Sequence, residues 1–295
     1  MSRRFVLLGH PVGHSMSPAI HRAAYRELGL PHHYELEDVP DEAALASAIE
    51  RVRSGEIAGA NVTVPWKRQA LRLADERAAS SSAVGAANVL VRSEHGRVVA
   101  HNTDVPALAE EIRRRAPAAR RLVVIGNGGA ALGAVAAANL LSAESVLVTA
   151  RRWTASQSAA EFAHGEEFEA LGAELLPWPA PPSADDAFAL ACARADVIVQ
   201  ATSAGMHGAE AGDAVSAIVP WASLPSALLA YDVVYNPPET EFLRAAKAHG
   251  LAHAHGLGML VEQARLAIEL WLGTRPPFEP LYAAASEALA ARRAK

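Results

Sequence analysis

The sequence predicts an α/β fold class that includes a doubly wound parallel sheet. Two observations predict it. Residues 122–149 form a strand-like apolar run, a glycine turn, an alanine-rich helical stretch and a second apolar run, which is the pattern of a βαβ unit. Short apolar runs then alternate with helical segments through residue 255, as expected for a parallel sheet covered by helices.

The glycine turn has the spacing of a dinucleotide-binding loop. Gly126 suits the tight turn after the first strand, Gly128 lets the backbone approach a pyrophosphate, and Ala131 is small where the helix packs on the sheet. The helix N-terminus offers free N–H groups and a positive dipole end to a phosphate. The alternative is an alanine-rich buried helix entered through a flexible loop. A nucleoside-triphosphate P-loop is excluded, because no Gly-Lys-Ser/Thr follows.

The end of the second strand of this unit predicts the cofactor. An NAD site has Asp or Glu about 20 residues after the glycines, where the carboxylate binds the ribose 2′-hydroxyl. Arg151 and Arg152 stand at that place instead, and Glu144 precedes the strand. Guanidinium groups suit a phosphate, so we expect NADP(H). A solvated basic turn is the alternative.

Composition and charge narrow the class of protein. The 295 residues suffice for two domains, and 51% hydrophobic with 20% charged residues indicates a globular protein. The net charge of −5 argues against a nucleic-acid partner. A single cysteine, Cys192, suits a reducing compartment and is expected in the core. We predict a soluble, cytoplasmic protein without a membrane span or a signal peptide. The histidines lack metal-ligand spacing, so no metal is expected.

The N-terminal third predicts an α/β region of its own. Its apolar runs and helix-start signals predict strands at 4–8, 34–39 and 57–64, helices at 17–28 and 41–52, and a hairpin of 86–92 with 97–101.

Beyond the βαβ unit, strands and helices alternate again. The pattern predicts a helix to about 115 before the unit, a strand near 175, a proline-rich loop at 177–182, a helix at 187–194 and strands at 196–200, 228–234 and 251–255. It also predicts helices at 239–249 and at about 279–292, and a long amphipathic helix to 272 that residues 255–259 lead into.

Two serines stand at the start of the first predicted helix. Ser17 as N-cap, with Pro18 at the first helical position, is a sufficient structural role for Ser17. Ser15 has no such role. Two hydroxyls at alternate positions beside a helix N-terminus also form a small nest for a carboxylate.

Two charged residues are candidates for catalysis. Pro65 is expected to open the next helix, which puts Lys67 in its first turn, where the helix dipole disfavours a cation. This indicates a role for Lys67, with an exposed surface lysine as the alternative. Asp104 begins another helix, and its carboxylate is either the helix cap or a catalytic group.

These segments together resemble shikimate dehydrogenases over essentially the whole chain. The resemblance lies in eight ordered motifs, at residues 9–18, 61–67, 85–90, 102–104, 126–130, 201–206, 232–237 and 258–263. It implies a substrate-binding domain at 1–103, completed by C-terminal helices at 258–295, and a Rossmann-type NADP-binding domain at 104–257. The implied reaction is the NADPH-dependent, reversible reduction of 3-dehydroshikimate to shikimate.

The resemblance also implies roles for individual residues. Lys67 and Asp104 match the catalytic pair. The substrate carboxylate and ring would contact Ser15, Ser17, Asn61, Thr63, Asn88, Tyr235 and Gln263. The cofactor would contact the glycine loop (Gly126, Asn127, Gly128, Gly129 and Ala130), the phosphate clamp (Arg151 and Arg152), and Thr202, Ser203, Val233, Gly256 and Met259.

Other functions stay open at this level. An enzyme of the same family that oxidises quinate as well as shikimate, or uses both cofactors, would share every catalytic residue. Methylenetetrahydrofolate dehydrogenase has a similar plan but would lack the Ser-x-Ser and Asn-Thr-Asp motifs. A non-catalytic NADP sensor would not need Lys67 and Asp104. The expected partner is a small-molecule substrate, and the expected state a monomer or homodimer. Ala150 departs from the family's Asn beside the clamp.

Overall fold

The computed structural model describes residues 2–154, 156–179 and 186–293. It divides into two compact units, one of residues 1–107 with 260–295 and one of residues 108–259. The strands are β1 (Arg4–Gly9), β2 (His33–Asp38), β3 (Gly59–Val62), β4 (Glu76–Arg77), β5 (Val89–Arg92), β6 (Val98–His101), β7 (Arg121–Ile125), β8 (Ser145–Thr149), β9 (Glu174–Leu176), β10 (Val197–Gln200), β11 (Leu229–Asp232) and β12 (Ala252–His255).

The helices connect these strands in the order expected for an α/β protein. They are α1 (Ser17–Glu27), α2 (Glu42–Ser54), α3 (Lys67–Leu73), α4 (Ala79–Ser82), α5 (Asp104–Arg115), α6 (Gly129–Leu140), α7 (Gly165–Ala170), α8 (Ala187–Cys192), α9 (Asp213–Ile218), α10 (Glu241–Ala248), α11 (Leu257–Leu272) and α12 (Phe278–Arg293), with 3₁₀ turns at Ala159–Glu161 and Trp221–Ser223.

The first unit is built on a mixed sheet of order β2-β1-β3-β5-β6-β4. Strand β1 pairs in parallel with β2 and β3, and β5 with β6 forms the antiparallel hairpin that the sequence predicts. The C-terminal helices pack on this unit, as expected. Trp271 of α11 donates its indole N–H to the carbonyl of Leu90 at 3.1 Å. Its ring lies against Gly59, where a Cβ would come within 2.4 Å of the indole.

The second unit is a six-stranded sheet of order β12-β11-β10-β7-β8-β9, and every pairing in it is parallel. This is the doubly wound arrangement predicted from the βαβ unit. The strand order reverses between β7 and β10, so the crevice at their carboxyl ends is where such sheets bind ligands. Cys192 is fully buried in the core beneath this sheet, as the sequence predicted.

Two helix starts differ from the prediction. Helix α3 begins at Lys67, not at Pro65, because Pro65 lies in the turn before the helix, where the N–H of Trp66 donates to the carbonyl of Thr63 at 2.9 Å. Helix α1 begins at Ser17, and its N-terminus has no side-chain cap. Ser17 is therefore not the N-cap: Met16 holds that position, Ser17 is the first helical residue, and its backbone N–H donates to the Ser15 hydroxyl at 3.1 Å.

The sequence does not predict several short elements, and one predicted loop lies partly outside the residues that the structure describes. The segment before the hairpin contains β4 and α4, and the loop after β10 contains α9. Elements of two to six residues carry too little periodicity to be recognised. The predicted proline-rich loop at 177–182 lies partly outside the described residues. Within the described ranges, every helix is too short or too polar to cross a membrane.

Candidate active site

The two predicted catalytic residues form an ion pair in the first unit. Lys67, the first residue of α3, places its Nζ 2.7 Å from Oδ2 of Asp104, the first residue of α5. The side chains are 34% and 23% exposed, so the pair is accessible to a small molecule while it is partly shielded from water. The carboxylate of Asp104 thus holds the ammonium group of Lys67 in place.

The cap of α5 is Asn102 rather than Asp104. Oδ1 of Asn102 accepts the backbone N–H of Asp104 at 3.0 Å and that of Val105 at 3.2 Å. The carboxylate of Asp104 is therefore not used for capping. It accepts instead from Lys67 at Oδ2 and from the side-chain amide of Asn88 at Oδ1, the latter at 2.8 Å. This removes the structural alternative for Asp104.

Asn88 orients the Asp104 carboxylate. It is almost fully buried, and its Oδ1 accepts the backbone N–H of Thr103 at 2.7 Å. With Oδ1 used in this way, Nδ2 must face the hydroxyl of Thr103 and the carboxylate of Asp104. A buried amide with all its partners satisfied has one orientation, so Asp104 has one too.

Asn61 extends the same network away from the ion pair. Its Nδ2 donates to the backbone carbonyl of Asn88 at 3.2 Å, and its Oδ1 accepts the hydroxyl of Tyr34 at 2.7 Å. Burial raises the pKa of Tyr34 well above its usual value of 10.0, with Tyr25 adding to this rise and Ser17 opposing it. Tyr34 therefore keeps its proton and remains a donor.

The serine nest lies at the start of α1. The hydroxyl of Ser15 donates to that of Ser17 at 3.1 Å, and the hydroxyl of Ser17 opposes the rise in the pKa of Tyr34. The ring of Tyr34 stacks on His21 at 3.7 Å between centroids, with both rings nearly parallel. Hydrogen bonds run from Tyr34 through the Asn61 side chain to the backbone of Asn88, whose side chain holds Asp104.

Three other predicted substrate residues are placed differently. Thr63 follows β3 and contacts the end of β1, where its methyl group leaves no room for a Cβ on Gly9. Gln263 of α11 belongs to the first unit, and its Nε2 donates to the carbonyl of Leu260 at 2.8 Å. Tyr235 belongs to the second unit. Their role in substrate binding stays a prediction.

The glycine loop has the backbone of a dinucleotide site. Gly126, directly after β7, has a φ of +138°, and a Cβ there would lie 2.8 Å from the carbonyl oxygen of Ala201 after β10. The two loops thus touch at the point where the strand order reverses. The helix packs closely on the sheet through Ala131, which is fully buried as expected.

The start of α6 tests whether a cofactor phosphate fits. Gly128 is its N-cap, and no side chain caps the helix. A Cβ on Gly128 or on Gly129 would meet nothing within 4 Å, so both residues border open space in front of free helix N–H groups. Asn127 and Ala130 flank these glycines. The residues present fit a pyrophosphate, which is what this loop binds in dinucleotide-binding sheets.

The predicted clamp contains an acidic residue that the sequence analysis did not find. Arg151 is about half exposed, and its Nη2 pairs with Oε1 of Glu210 in the loop after β10. The hydrogen bond from Arg151 lowers the pKa of Glu210, with further lowering by the charges of Arg151 and Arg152, so Glu210 is ionised at neutral pH. The folded clamp therefore holds a carboxylate besides the two arginines, because folding brings Glu210 to Arg151.

The remaining predicted cofactor residues follow the ends of β10, β11 and β12 in the chain. Thr202 and Ser203 follow β10, where the Thr202 hydroxyl accepts the backbone N–H of Ala204 at 3.0 Å. Gly256 is buried against Val233, whose carbonyl oxygen would lie 2.1 Å from a Cβ. Met259 is half-buried in the first turn of α11. No cluster of three or more potential metal ligands occurs among the described residues.

The comparisons with known proteins identify the family. The family model described as the shikimate dehydrogenase substrate-binding domain matches residues 7–90, and the one described as the shikimate 5′-dehydrogenase C-terminal domain matches residues 256–285. The chain is 36% identical over 272 residues to a shikimate dehydrogenase (NADP⁺) of Caulobacter vibrioides, which covers 91% of this chain and 89% of that protein. The chain belongs to the shikimate dehydrogenase family.

Other members resemble it equally well. The shikimate dehydrogenase (NADP⁺) of Alkalilimnicola ehrlichii is 37% identical, with 96% of this chain and 98% of that protein covered. Among solved structures, shikimate 5-dehydrogenase from Thermus thermophilus in complex with NADP(H) and shikimate is 32% identical with a TM-score of 0.78, covering 97% of this chain and 99% of that one. The family assignment therefore rests on both sequence and fold.

Two residues of this member escaped sequence reasoning. Tyr34 is the single buried residue of β2, and its aromatic ring in a strand with Leu36 as the one other apolar residue is a signal for it. Glu210 gives no local signal, because it lies 59 positions from Arg151.

Proposed function

We propose that this protein is an NADP-dependent shikimate dehydrogenase that interconverts 3-dehydroshikimate and shikimate. The observation that carries the proposal is the Lys67–Asp104 pair, oriented through Asn88, with the paired hydroxyls of Ser15 and Ser17 in the same unit. The relatives named above are named for shikimate and NADP⁺, which favours this reaction over a dual activity on quinate.

The rarity of lysine among the basic residues supports a proton-transfer role for Lys67. Of its 27 basic residues, 24 are arginines, and the lysines are Lys67, Lys247 and Lys295. A guanidinium does not give up its proton in proteins, whereas an ammonium does. A lysine at the start of α3, where the helix dipole disfavours a cation, is consistent with a group that must release a proton.

The residues divide the reaction between them. When bound, NADPH supplies the hydride that reaches the ketone carbon. Negative charge then develops on the carbonyl oxygen, and the Lys67 ammonium stabilises that charge and donates its proton to form the hydroxyl. Asp104 holds Nζ of Lys67 in position at 2.7 Å. In the oxidation direction the same pair accepts the proton of the hydroxyl.

The serine nest and the cofactor loop supply binding. Ser15 and Ser17 would hold the substrate carboxylate, while Asn61 and Asn88 orient the ring. On the second unit, the glycine loop would hold the pyrophosphate, and Arg151 with Arg152 the 2′-phosphate. These roles fix the substrate at one end and leave its reacting carbon beside Lys67.

The test is oxidation of shikimate with NADP⁺, followed by the absorbance of the NADPH formed. Lys67→Ala should lower kcat by roughly 10²–10⁴-fold, the usual contribution of general acid–base catalysis. Lys67→Arg keeps the charge but cannot transfer the proton, so it should lose most of kcat as well. Lys247→Ala, which removes an exposed lysine paired with Glu239, is the control and should match the parent.

Two results would contradict the proposal. If the parent oxidises neither shikimate nor quinate, the family's reaction is not carried out here. If Lys67→Arg keeps kcat within about threefold of the parent, Lys67 supplies only charge, and the proton comes from another group.

A further inference from the structure

A carboxylate, that of Glu210, is paired with Arg151 in the predicted 2′-phosphate clamp. The loop that follows β8 and the loop that follows β10 lie on either side of β7, and the Arg151–Glu210 ion pair joins them across the carboxyl end of that strand. This is the same edge of the sheet at which the glycine loop begins. An ionised carboxylate thus stands where the sequence predicted only positive charge.

The backbone holds Glu210 in this place. Its carbonyl oxygen accepts the N–H of Gly205 at 2.7 Å, which closes the turn that contains it. Gly205 has a φ of +81°, and the N–H of Gly212 beyond the turn donates to Glu241 at 3.2 Å. Glu210 therefore sits on a turn that is anchored on both sides.

The charges at the site predict a mixed preference. Glu210 interacts with both arginines, so the three groups sum to one positive charge rather than two. A phosphate that binds Arg151 must displace the Glu210 carboxylate or lie beside it, and either costs affinity. A ribose that carries a free 2′-hydroxyl has no such conflict, because a carboxylate accepts a hydrogen bond from that hydroxyl.

We propose that Glu210 is a specificity-determining residue of the cofactor site, which weakens binding of the adenosine 2′-phosphate and so narrows the preference for NADP over NAD. The proposal rests on the proposed function, because it takes Arg151 as a ligand of that phosphate. It adds a residue that the family motifs do not contain.

The test measures binding directly by isothermal titration calorimetry, with adenosine 2′,5′-bisphosphate and 5′-AMP as probes. Glu210→Gln removes the charge and nearly keeps the shape of the side chain. Because a single exposed charge contributes little, we expect this variant to bind the bisphosphate roughly three- to tenfold more tightly than the parent. Binding of 5′-AMP should stay unchanged or weaken. Raising the salt concentration should reduce the gain.

Two further variants separate the causes. Glu144→Gln makes the same charge change at the amino end of β8, the opposite edge of the sheet, and should leave both affinities unchanged. In the Arg151→Ala background, Glu210→Gln should give a smaller gain than in the parent, because part of its effect acts through Arg151.

The outcomes distinguish this proposal from the one on which it rests. If Arg151→Ala weakens bisphosphate binding while Glu210→Gln does not strengthen it, the clamp stands and the role of Glu210 is refuted. If Arg151→Ala leaves bisphosphate binding unchanged, both the clamp and the role of Glu210 are refuted. The shikimate reaction itself is tested separately by the Lys67 variants.

Discussion

The hydroxyl of Tyr34 donates a 2.7 Å hydrogen bond to Oδ1 of Asn61, and this bond fixes which way the Asn61 amide faces. With Oδ1 occupied, Nδ2 turns to the carbonyl of Asn88. Tyr34 is thereby a positioning residue for a side chain predicted to contact the substrate ring.

Tyr34→Phe should therefore weaken substrate binding. It removes the donor to Asn61 but keeps the ring that stacks on His21. A hydrogen bond within a protein contributes about 0.5–1.5 kcal/mol, so we expect KM for shikimate to rise roughly three- to tenfold, with a smaller change in kcat. Steady-state kinetics with shikimate as the varied substrate measure both.

Tyr25→Phe is the matched control. Tyr25 packs in the same aromatic cluster, but its buried hydroxyl has no hydrogen-bond partner among the described residues. Its loss should leave KM unchanged. A Tyr34→Phe enzyme whose KM stays within twofold of the parent would show that Asn61 is oriented without the tyrosine, or does not contact the substrate.

Ser15→Ala and Ser17→Ala should each raise KM for shikimate. Because Ser17 does not cap α1, Ser17→Ala should not show the stability loss of about 1 kcal/mol expected for a lost cap, whereas Ser15→Ala removes the acceptor of the first N–H of the helix. A substrate analogue without the carboxylate should bind equally poorly to the parent and both variants. Kinetics together with a thermal melt check these points.

The control for the serines is Ser54→Ala, whose exposed hydroxyl donates to the carbonyl of Arg51 at the end of α2 and accepts the backbone N–H of Glu56 at 3.5 Å. It should bind shikimate like the parent. Normal shikimate binding by both nest variants would place the carboxylate elsewhere.

Replacing Arg151 and Arg152 together by alanine should weaken NADP⁺ binding and leave NAD⁺ almost unchanged. Two charge-assisted hydrogen bonds at the low end of their usual strength give roughly a hundredfold loss, and screening at an exposed site reduces it. Single variants should fall between. Fluorescence or calorimetric titration with both cofactors measures the loss, with Arg120→Ala before β7 as the control. Equal loss for both cofactors would mean that the arginines hold the pyrophosphate or the loop.

The sequence predicted most of the fold because its signals are local. The βαβ unit, the hairpin and the long helices each carry their own periodicity and turn residues, and the C-terminal helices return to the first unit as the resemblance implied. Helix starts depend on the turn that precedes them. A proline suits the first helical position, but Pro65 lies in a turn closed by the Trp66 N–H on the Thr63 carbonyl, so the sequence places the start of α3 two residues too early.

Site residues could be predicted where residue type and local spacing indicate the role. They could not be predicted where the role depends on a contact between residues far apart in the sequence. For Asp104 the sequence allowed a cap or a catalytic group, because Asn102 two positions earlier can cap equally well. The network through Tyr34 depends on the pairing of β1 with β2 and β3, which no local pattern specifies. Glu210 contacts Arg151 because their loops follow β10 and β8, the two strands that flank β7 in the sheet.

The last prediction concerns pH and the buried carboxyl of Asp232 at the end of β11. Its Oδ1 accepts the N–H of Val234 at 2.9 Å and its Oδ2 the hydroxyl of Thr240 at 2.6 Å. Burial nevertheless raises its pKa from 3.8 to about 7, against these hydrogen bonds. Between about pH 4 and pH 7 the folded state thus holds a proton that the unfolded state has released, so this group lowers stability as the pH rises.

Asp232→Asn should remove the loss of folding stability that ionisation of Asp232 causes as the pH rises. The amide oxygen still accepts from Val234 and the amide nitrogen donates to Thr240, so the contacts survive while the charge does not. The difference of about three between the two pKa values corresponds to roughly 4 kcal/mol, gained progressively from about pH 4 and complete above about pH 7. Melting temperatures of the variant and the parent should therefore diverge in the variant's favour as the pH rises through this window.

Asp196→Asn provides a control of opposite sign. Burial opposes ionisation of Asp196, but hydrogen bonds from the side chain of Arg121 and from the backbone N–H groups of Arg120 and Arg121 outweigh it and lower the pKa. Its contribution is therefore present above the unfolded pKa near 4 and is lost as the pH falls through the folded value. That variant should lose stability at neutral pH and approach the parent in acid. If Asp232→Asn instead keeps a constant offset in melting temperature from about pH 5 to pH 8, Asp232 is already ionised throughout, and its burial is compensated by the two hydrogen bonds alone.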